Sequence, residues 1–323
     1  MARADLVVNL VETGMRGDLP RFKKTAEAIA AEATARHQHH LADKLHTILT
    51  SSFNENGRRF TNAPELQNSF YEIVTQKTLD DLTLENDVRL LFNELIEEHH
   101  RKDILRAYNL EPRHKLLLAG PPGNGKTTLA EALANQLCVP LFIVKYEGIF
   151  SRYLGETAQH VDMLFDHIKT QRCVLFFDEF DAIGKERDDL QDNGEIKRVV
   201  NSLLKQIDLL PSHVIVVAAT NHASMLDRAL WRRFQMQITI PGPTQNTATL
   251  WLKSFEHRVG HTFGLTLTTI ARRLAGLSFA ELEEFALDVQ RKYILGLPDS
   301  EKNVKNITSN CLKIWEKRYK VDE

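Results

Sequence analysis

The sequence GPPGNGKTT occupies residues 120–128 and decides the fold of the chain around it. It satisfies the pattern G-x-x-x-x-G-K-[ST], in which glycines let consecutive backbone N–H groups point inward at a polyphosphate. In such a loop the lysine reaches the β- and γ-phosphates, and the threonine hydroxyl ligates Mg²⁺. The residues predicted to bind the phosphates are Gly120, Pro121, Pro122, Gly123, Asn124, Gly125, Lys126, Thr127 and Thr128.

The segments on either side of this loop support the same interpretation. Residues 115–119 (KLLLA) form a short apolar run typical of a buried strand, and residues 127–137 alternate as an amphipathic helix does. The phosphates would then lie at a helix N-terminus, where unpaired N–H groups and the helix dipole favour an anion. The alternative is an ordinary Gly/Pro turn between a strand and a helix, but every fixed position of the motif is filled.

Composition indicates a globular protein of the cytosol. The chain has 323 residues, enough for about two domains, with 43% hydrophobic and 26% charged residues. Its 41 basic and 43 acidic side chains nearly balance, so no bulk charge favours nucleic acid or an anionic membrane. The three cysteines form no CxxC pair, which fits a reducing compartment. With no signal peptide or apolar stretch of about 18 residues in view, we expect a cytoplasmic protein without a membrane partner.

Hydrophobic periodicity divides the chain into four segments. Residues 1–50 have helical spacing and are predicted to bind a partner or substrate, and residues 51–64, rich in Ser, Asn and Gly, are predicted to form a linker. In residues 65–241 apolar runs alternate with amphipathic helices, whereas residues 242–323 are predicted to be helical. Continuous apolar strands separated by helices are typical of a parallel sheet covered on both faces. The strands are expected at 115–119, 141–144, 173–177, 214–219 and 236–241.

A second motif, VLFFDEFD at residues 174–181, contributes carboxylates at the end of an apolar strand. Asp178 and Glu179 would lie at the carboxyl edge of the sheet, where open α/β sheets bind ligands. Asp178 suits the binding of Mg²⁺ through water, and Glu179 suits polarising the water that attacks the γ-phosphate. Such an acidic pair is usually only solvated, but here a complete phosphate loop lies about 50 residues upstream.

Five ordered segments together resemble the AAA+ ATPase family. They are the phosphate loop (Walker A), VLFFDEFDAI at 174–183 (Walker B), VVAATN at 216–221 (sensor 1), LDRALWRRF at 226–234 (arginine finger) and GLSFAEL at 276–282 (helical lid). The resemblance covers about residues 80–323 and implies an α/β P-loop NTPase fold, with a five-stranded parallel sheet, a C-terminal helical lid and a small N-terminal helical region. It also implies Mg²⁺-dependent hydrolysis of ATP to ADP and phosphate, and assembly into a ring homo-oligomer, usually a hexamer.

Positions matched to the family motifs imply further roles. Asn221 would orient the attacking water, and Arg232 and Arg233 would reach the γ-phosphate bound by a neighbouring subunit. The finger segment is about two residues shorter than in many relatives, so either arginine could act there, and Arg233 is favoured because it precedes a phenylalanine. Ala280 stands where some relatives place an arginine, and Asn124 replaces the commoner threonine at a position expected to contribute mainly its backbone.

The segment SRYLGET at residues 151–157 bears on the substrate. Tyr153, Leu154 and Gly155 resemble the aromatic–aliphatic–glycine triplet of the pore loop in protein-remodelling AAA+ enzymes. An aromatic ring can grip an extended polypeptide of any sequence through dispersion and burial, and glycine lets the loop move. The alternative is a strand–helix connection whose tyrosine packs on the core. Residues 185–194, charged and punctuated by glycine, are either a second pore loop or a solvated surface loop.

These features predict an ATP-driven ring motor that remodels or threads a protein substrate through a central pore. The alternative is a nucleotide-dependent switch that gates a partner effector without threading. A short N-terminal segment followed by a single ATPase module resembles the ATPase partner in bacterial two-gene cassettes. These encode it beside a subtilisin-like serine protease, and some are linked to plasmid exclusion or phage defence. A nucleic-acid motor is disfavoured because no basic stripe is visible.

Overall fold

The structure is a computed structural model of the chain. It describes residues 25–26, 28–29, 69–146, 157–183, 194–226, 228–296 and 300–319. The chain divides into two compact units, Met1–Asn68 and Ser69–Glu323. In the first unit the described residues are helical, namely Thr25, Ala26, Ala28 and Ile29. Several predicted features lie outside the described residues: the rest of 1–50, the linker at 51–64, nearly all of 185–194, and Tyr153, Leu154 and Gly155.

The second unit is built on a sheet of six described strands. They are β1 (Phe70–Ile73), β2 (Lys115–Ala119), β3 (Leu141–Val144), β4 (Cys173–Phe177), β5 (Val214–Thr220) and β6 (Met236–Thr239). Their order across the sheet is β1-β3-β4-β5-β2-β6. Strands β2 to β6 pair in parallel, which confirms the predicted parallel sheet of five strands.

The predicted strand count is nevertheless short by one, because β1 pairs antiparallel with β3 at the edge of the sheet. The sequence of β1, FYEI, has no continuous apolar run, and Tyr71 and Glu72 are exposed. Its strand conformation therefore depends on the backbone pairing with β3, which leaves no apolar pattern in the sequence.

Helices cover the sheet and form the C-terminal part of the unit. The α-helices of the described residues are α1 (Asn86–His100), α2 (Lys102–Ala107), α3 (Lys126–Gln136), α4 (Thr157–Ile168), α5 (Gly194–Asp208), α6 (Arg228–Trp231), α7 (Gln245–Val259), α8 (Leu267–Arg273), α9 (Phe279–Leu295) and α10 (Ser300–Tyr319). Phe92 of α1 and Leu133 of α3 share a core with Leu116 and Leu118 of β2. All seven residues of β5 are buried, which requires cover on both faces of the sheet.

The strand order brings three carboxyl ends to one place. Strand β5 lies between β4 and β2, with Ala218 opposite Phe177 and Thr220 opposite Ala119. The residues that follow β2, β4 and β5 therefore leave the sheet side by side, at the edge where open α/β sheets bind ligands.

Helices α7 to α10 pack around a core of their own, as the predicted helical lid requires. The core is centred on Leu252, Phe263, Phe285, Leu312 and Trp315. Helices α7 and α9 both begin with capping boxes, in which the N-cap hydroxyls of Thr244 and Ser278 accept a backbone N–H from the first turn. In the described part of the chain, every helix is too short or too polar to cross a membrane.

Candidate functional site

The predicted phosphate loop connects the end of β2 to the start of α3, which begins at Lys126. Gly120 has a φ of 154° and packs against the backbone that follows β6. A Cβ at this position would lie 2.1 Å from the Ile240 carbonyl oxygen, so only glycine fits. Its N–H donates to the Thr220 carbonyl oxygen at 3.2 Å, which ties the start of the loop to the end of β5.

Lys126 is buried at the base of the loop and connects it to the residue after β5. Its Nζ donates to the carbonyl oxygens of Gly120 and Pro121, at 2.7 and 2.9 Å, and to Asn221 Oδ1 at 2.7 Å. Burial lowers the pKa of Lys126, and nearby carboxylates act in the opposite direction. The structure thus brings two of the predicted site residues, the lysine and Asn221, into direct contact.

The carboxylates predicted at the end of β4 lie on a strained turn. Asp178 Oδ1 accepts the N–H of Glu179 at 2.9 Å, and Glu179 has a φ of 46°, which few residues with a side chain adopt. The Phe180 N–H donates to the Ala219 carbonyl oxygen at 2.8 Å and so holds the turn to β5. Such strain costs on the order of 1–3 kcal/mol and clusters at functional sites. Both carboxylates are exposed at the edge of the sheet.

Tyr146, two residues after β3, supports this turn from another strand. Its hydroxyl donates to the Asp178 carbonyl oxygen at 2.7 Å. Burial, together with the carboxylates of Asp178, Asp181 and Glu179, raises the pKa of Tyr146 well above its ordinary value. The hydroxyl therefore stays protonated and remains a donor to the peptide that leads into Glu179. No sequence motif singles out this tyrosine.

A cavity of about 480 Å³ joins these elements and falls within the size range of small-molecule sites. The predicted residues that line it are Pro122, Gly123, Asn124, Gly125, Lys126, Thr127, Thr128, Asp178, Glu179 and Asn221. Gly120 and Pro121 do not line it, although their carbonyl oxygens accept from Lys126. Thr127 and Asp178 offer hydroxyl and carboxylate oxygens, the ligands that Mg²⁺ prefers, so the donor set fits a magnesium ion.

The cavity extends beyond the predicted residues. The rest of its lining comes from the chain before α1 and from the lid: Lys77, Asp81, Leu82, Thr83, Leu84, Trp251, Arg258, Phe279, Ala280 and Glu283. On α7, the Trp251 and Phe255 rings stack with centroids 5.5 Å apart, and the Arg258 guanidinium lies 5.3 Å from the Phe255 centroid. Sequence reasoning missed Trp251 and Arg258 as cavity residues, although their spacing of seven places both on one helix face.

The arginines predicted to act on a neighbouring subunit do not line the cavity. Arg233 forms an ion pair with Asp208 at the end of α5, whereas Arg232 is exposed and has no ion-pair partner in the described part of the chain. Phe234 is buried, and its ring meets the Phe180 ring edge to face with centroids 5.3 Å apart. One aromatic contact therefore links the arginine segment to the acidic turn after β4.

Comparison with known proteins adds to this geometry. Residues 116–242 match the family described as "ATPase family associated with various cellular activities (AAA)". The chain is similar to a Sinorhizobium fredii protein named "Uncharacterized AAA family ATPase y4kL", with 36% identity over 303 residues, which cover 91% of this chain and 90% of that protein.

Two further relatives are longer than the region they share with this chain. One is a "Putative 26S proteasome regulatory subunit homolog" of Methanothermobacter marburgensis, 29% identical over 221 residues that cover 68% of this chain and 59% of the relative. The other is a "Cell division cycle protein 48 homolog" of Archaeoglobus fulgidus, 34% identical over 186 residues that cover 56% of this chain and 25% of the relative. This chain therefore spans less than two thirds of either protein.

Proposed function

This chain belongs to the AAA family of ATPases and hydrolyses ATP, and from that premise we propose that it is a ring motor that remodels or threads a protein substrate. One observation carries the assignment of the nucleotide site. Lys126 of the phosphate loop contacts Asn221, and both line the cavity that also holds Asp178 and Glu179. Residues from three strand ends are thus within reach of one bound nucleotide.

The residues of the cavity have distinct proposed roles. The ammonium group of Lys126, fixed by three oxygen acceptors, offsets the negative charge of the phosphates. Thr127 and Asp178 would hold Mg²⁺, which would offset the negative charge of the phosphates. The Glu179 carboxylate polarises the attacking water, and the Asn221 side chain orients it.

The ring and its substrate extend the proposal beyond one subunit. The relative named "Putative 26S proteasome regulatory subunit homolog" supports the proposal that the substrate is a protein. We extend this to a homo-oligomeric ring, with six subunits as the usual number in the family, in which Arg232 or Arg233 completes the site of a neighbour. Tyr153, Leu154 and Gly155 would grip the substrate in the central pore. In the alternative, a switch that gates an effector such as a subtilisin-like serine protease, these three residues would have no such role.

Replacing Lys126 and Glu179 tests the nucleotide site. Lys126→Ala should abolish binding of a fluorescent ATP analogue, because the ammonium group contributes to phosphate affinity in the ground state. Glu179→Gln should bind the analogue as the wild type does but release phosphate at least about 100-fold more slowly, as expected for a lost general base. The control is Glu284→Gln, an exposed carboxylate of α9 outside the cavity. Hydrolysis by Glu179→Gln at the wild-type rate would contradict the assignment.

Replacing Tyr153 separates a motor from a switch. Tyr153→Ala should keep basal ATPase activity but lose ATP-dependent unfolding of a stably folded reporter with an unstructured tail, because the grip on the polypeptide is lost. Tyr153→Phe is the matched control and should keep both activities, since the ring remains. Loss of ATPase together with unfolding would indicate that the tyrosine is a core residue. Undiminished unfolding by Tyr153→Ala would count against threading.

A further inference from the structure

The start of the lid helix α9 is bonded to the phosphate loop. The first N–H groups of any helix have no partner within it and must be satisfied by other groups. Here the Phe279 N–H donates to Asn124 Oδ1 at 3.2 Å, and the Ala280 N–H donates to the Gly123 carbonyl oxygen at 3.0 Å. Two of the first three N–H groups of α9 are therefore capped by the loop.

The loop and the helix also touch closely. Asn124 is 6% exposed, and its amide nitrogen lies 3.4 Å from the Pro121 carbonyl oxygen. A Cβ on Gly123, whose φ is 73°, would lie 2.8 Å from the Ser278 hydroxyl oxygen, so the approach requires glycine. The Asn124 side chain thus joins the backbone of its own loop to the first turn of the lid. Position 124 contributes more than the backbone that the sequence analysis expects of it.

Two further contacts at the start of α9 join its N-cap residue to its first turn. The third N–H, of Glu281, donates to the Ser278 hydroxyl at 3.3 Å, and the Glu281 carboxylate accepts the Ser278 N–H at 2.6 Å. Ala280 lines the cavity but has no polar side chain with which to bind a phosphate. The first turn of α9 therefore contacts the phosphate loop through hydrogen bonds donated by its backbone N–H groups.

We propose that Asn124 is a positioning residue that docks the helical lid on the phosphate loop by capping α9. Movement of the loop on nucleotide binding then passes directly to the lid. This coupling rests on the proposed function, whereas the cap itself does not. Asparagine suits the position because its side chain offers an acceptor to the Phe279 N–H and a donor to the Pro121 carbonyl.

Amide hydrogen exchange resolved to single residues, in the full chain without nucleotide, tests the cap. Asn124→Ala should speed exchange of the Phe279 amide about fivefold, the factor expected for a lost N-cap. Asn124→Asp should keep the slow exchange, because a carboxylate is a good acceptor and is favoured at a helix N-terminus. Ser278→Ala is the matched control: it should speed exchange at Glu281 and leave the Asn124 contact intact.

A second set of measurements adds ADP with Mg²⁺. In the wild type, ADP should slow exchange in the loop and at Phe279, whereas in Asn124→Ala it should slow exchange in the loop alone. The proposal would be overturned if the Phe279 amide exchanged in Asn124→Ala at the rate seen in the wild type. Fast exchange of the same amide in Asn124→Asp would also overturn it. A wild-type chain that binds no ADP would contradict the proposed function instead, and the measurement without nucleotide would still decide whether Asn124 caps α9.

Discussion

Glu179 holds a backbone conformation that is unfavourable for a residue with a side chain, and three contacts keep it there. The Asp178 side chain accepts the Glu179 N–H, the Phe180 N–H is bonded to β5, and the Tyr146 hydroxyl is bonded to the Asp178 carbonyl. The Tyr146 contact can be removed by deleting a single oxygen atom that lies outside the turn. It therefore offers a direct way to ask whether the placement of Glu179 limits hydrolysis.

Tyr146→Phe should lower kcat about 2- to 12-fold, because one hydrogen bond contributes a net 0.5–1.5 kcal/mol, roughly, and the loss falls on the placement of Glu179. The KM for ATP should change little, since the phosphate loop keeps its contacts. Steady-state ATPase kinetics measure both constants. The matched control is Tyr71→Phe on β1, whose hydroxyl has no hydrogen-bond partner in the described part of the chain. A raised KM with unchanged kcat would mean that Tyr146 acts on binding.

Residues whose chemistry depends on spacing within a motif could be predicted from the sequence. Lys126, Glu179 and Asn221 all fall in short segments that follow parallel strands, and the strand order alone brings them to one cavity. Trp251 and Tyr146 could not be predicted in the same way. The position of Trp251 depends on how the lid docks, and that of Tyr146 on a contact between two strands, and neither arrangement is encoded in a local pattern.

The same distinction holds for whole elements. The seven-residue strand β5, VIVVAAT, is apolar in its first six residues because both of its faces are covered, so its sequence already indicates a central parallel strand. The four-residue strand β1 has two exposed residues in its middle, and its pairing with β3 comes from tertiary structure. Continuous burial leaves a clear trace in the sequence, whereas a short edge strand leaves almost none.

Two buried histidines, in α1 and just before β2, contact backbone carbonyl oxygens of neighbouring segments. His99 Nε2 of α1 lies 2.7 Å from the Arg113 carbonyl oxygen, and His114 Nε2, just before β2, lies 3.2 Å from the Leu210 carbonyl oxygen. Burial lowers the pKa of both histidines from their ordinary value of 6.5. Both side chains are therefore neutral in the folded chain at neutral pH, and folding opposes their protonation.

The free energy of unfolding should fall as the pH drops below about 6.5. In that range the unfolded chain binds protons at these histidines before the folded chain does, so acid favours unfolding, by up to about 1.4 kcal/mol per histidine and pH unit. Above about pH 6.5 both histidines are neutral in the folded and the unfolded chain, so they no longer make the free energy of unfolding depend on pH. Urea unfolding between pH 7.5 and 5.5 measures how the free energy of unfolding depends on pH. In the double variant His99→Gln, His114→Gln this dependence should be weaker than in the wild type. Equal slopes would mean that neither histidine is held neutral by folding.

At the scale of the whole molecule, one aromatic contact connects the acidic turn after β4 to the segment that holds Arg232 and Arg233. Phe180 follows the acidic turn of this subunit's own cavity, and Phe234 follows the arginines proposed to serve a neighbour. A shift of the turn would therefore move the base of the arginine segment. The ion pair of Arg233 with Asp208 gives that segment a second support, at the end of α5.

Mixing two inactive variants tests whether Arg233 completes a neighbour's site. Arg233→Ala subunits keep their own Glu179, and Glu179→Gln subunits keep their own Arg233, so a mixed ring contains interfaces at which both groups are intact. An arginine finger can raise the rate of hydrolysis about 10³- to 10⁵-fold, so even a minority of repaired interfaces should restore measurable phosphate release. Asp208→Asn is the control for the ion pair. It frees Arg233 without removing it and should keep ATPase activity if the arginine acts across the interface.

Arg232→Ala, mixed with Glu179→Gln in parallel, identifies which arginine acts. Light scattering must first show that mixed rings form, and specific activity should rise with protein concentration because the complete site requires assembly. If mixed rings with Arg233→Ala stay inactive while those with Arg232→Ala recover, the exposed Arg232 is the residue that crosses the interface. In that case the ion pair between Arg233 and Asp208 would serve only to hold α5 against the segment before β6.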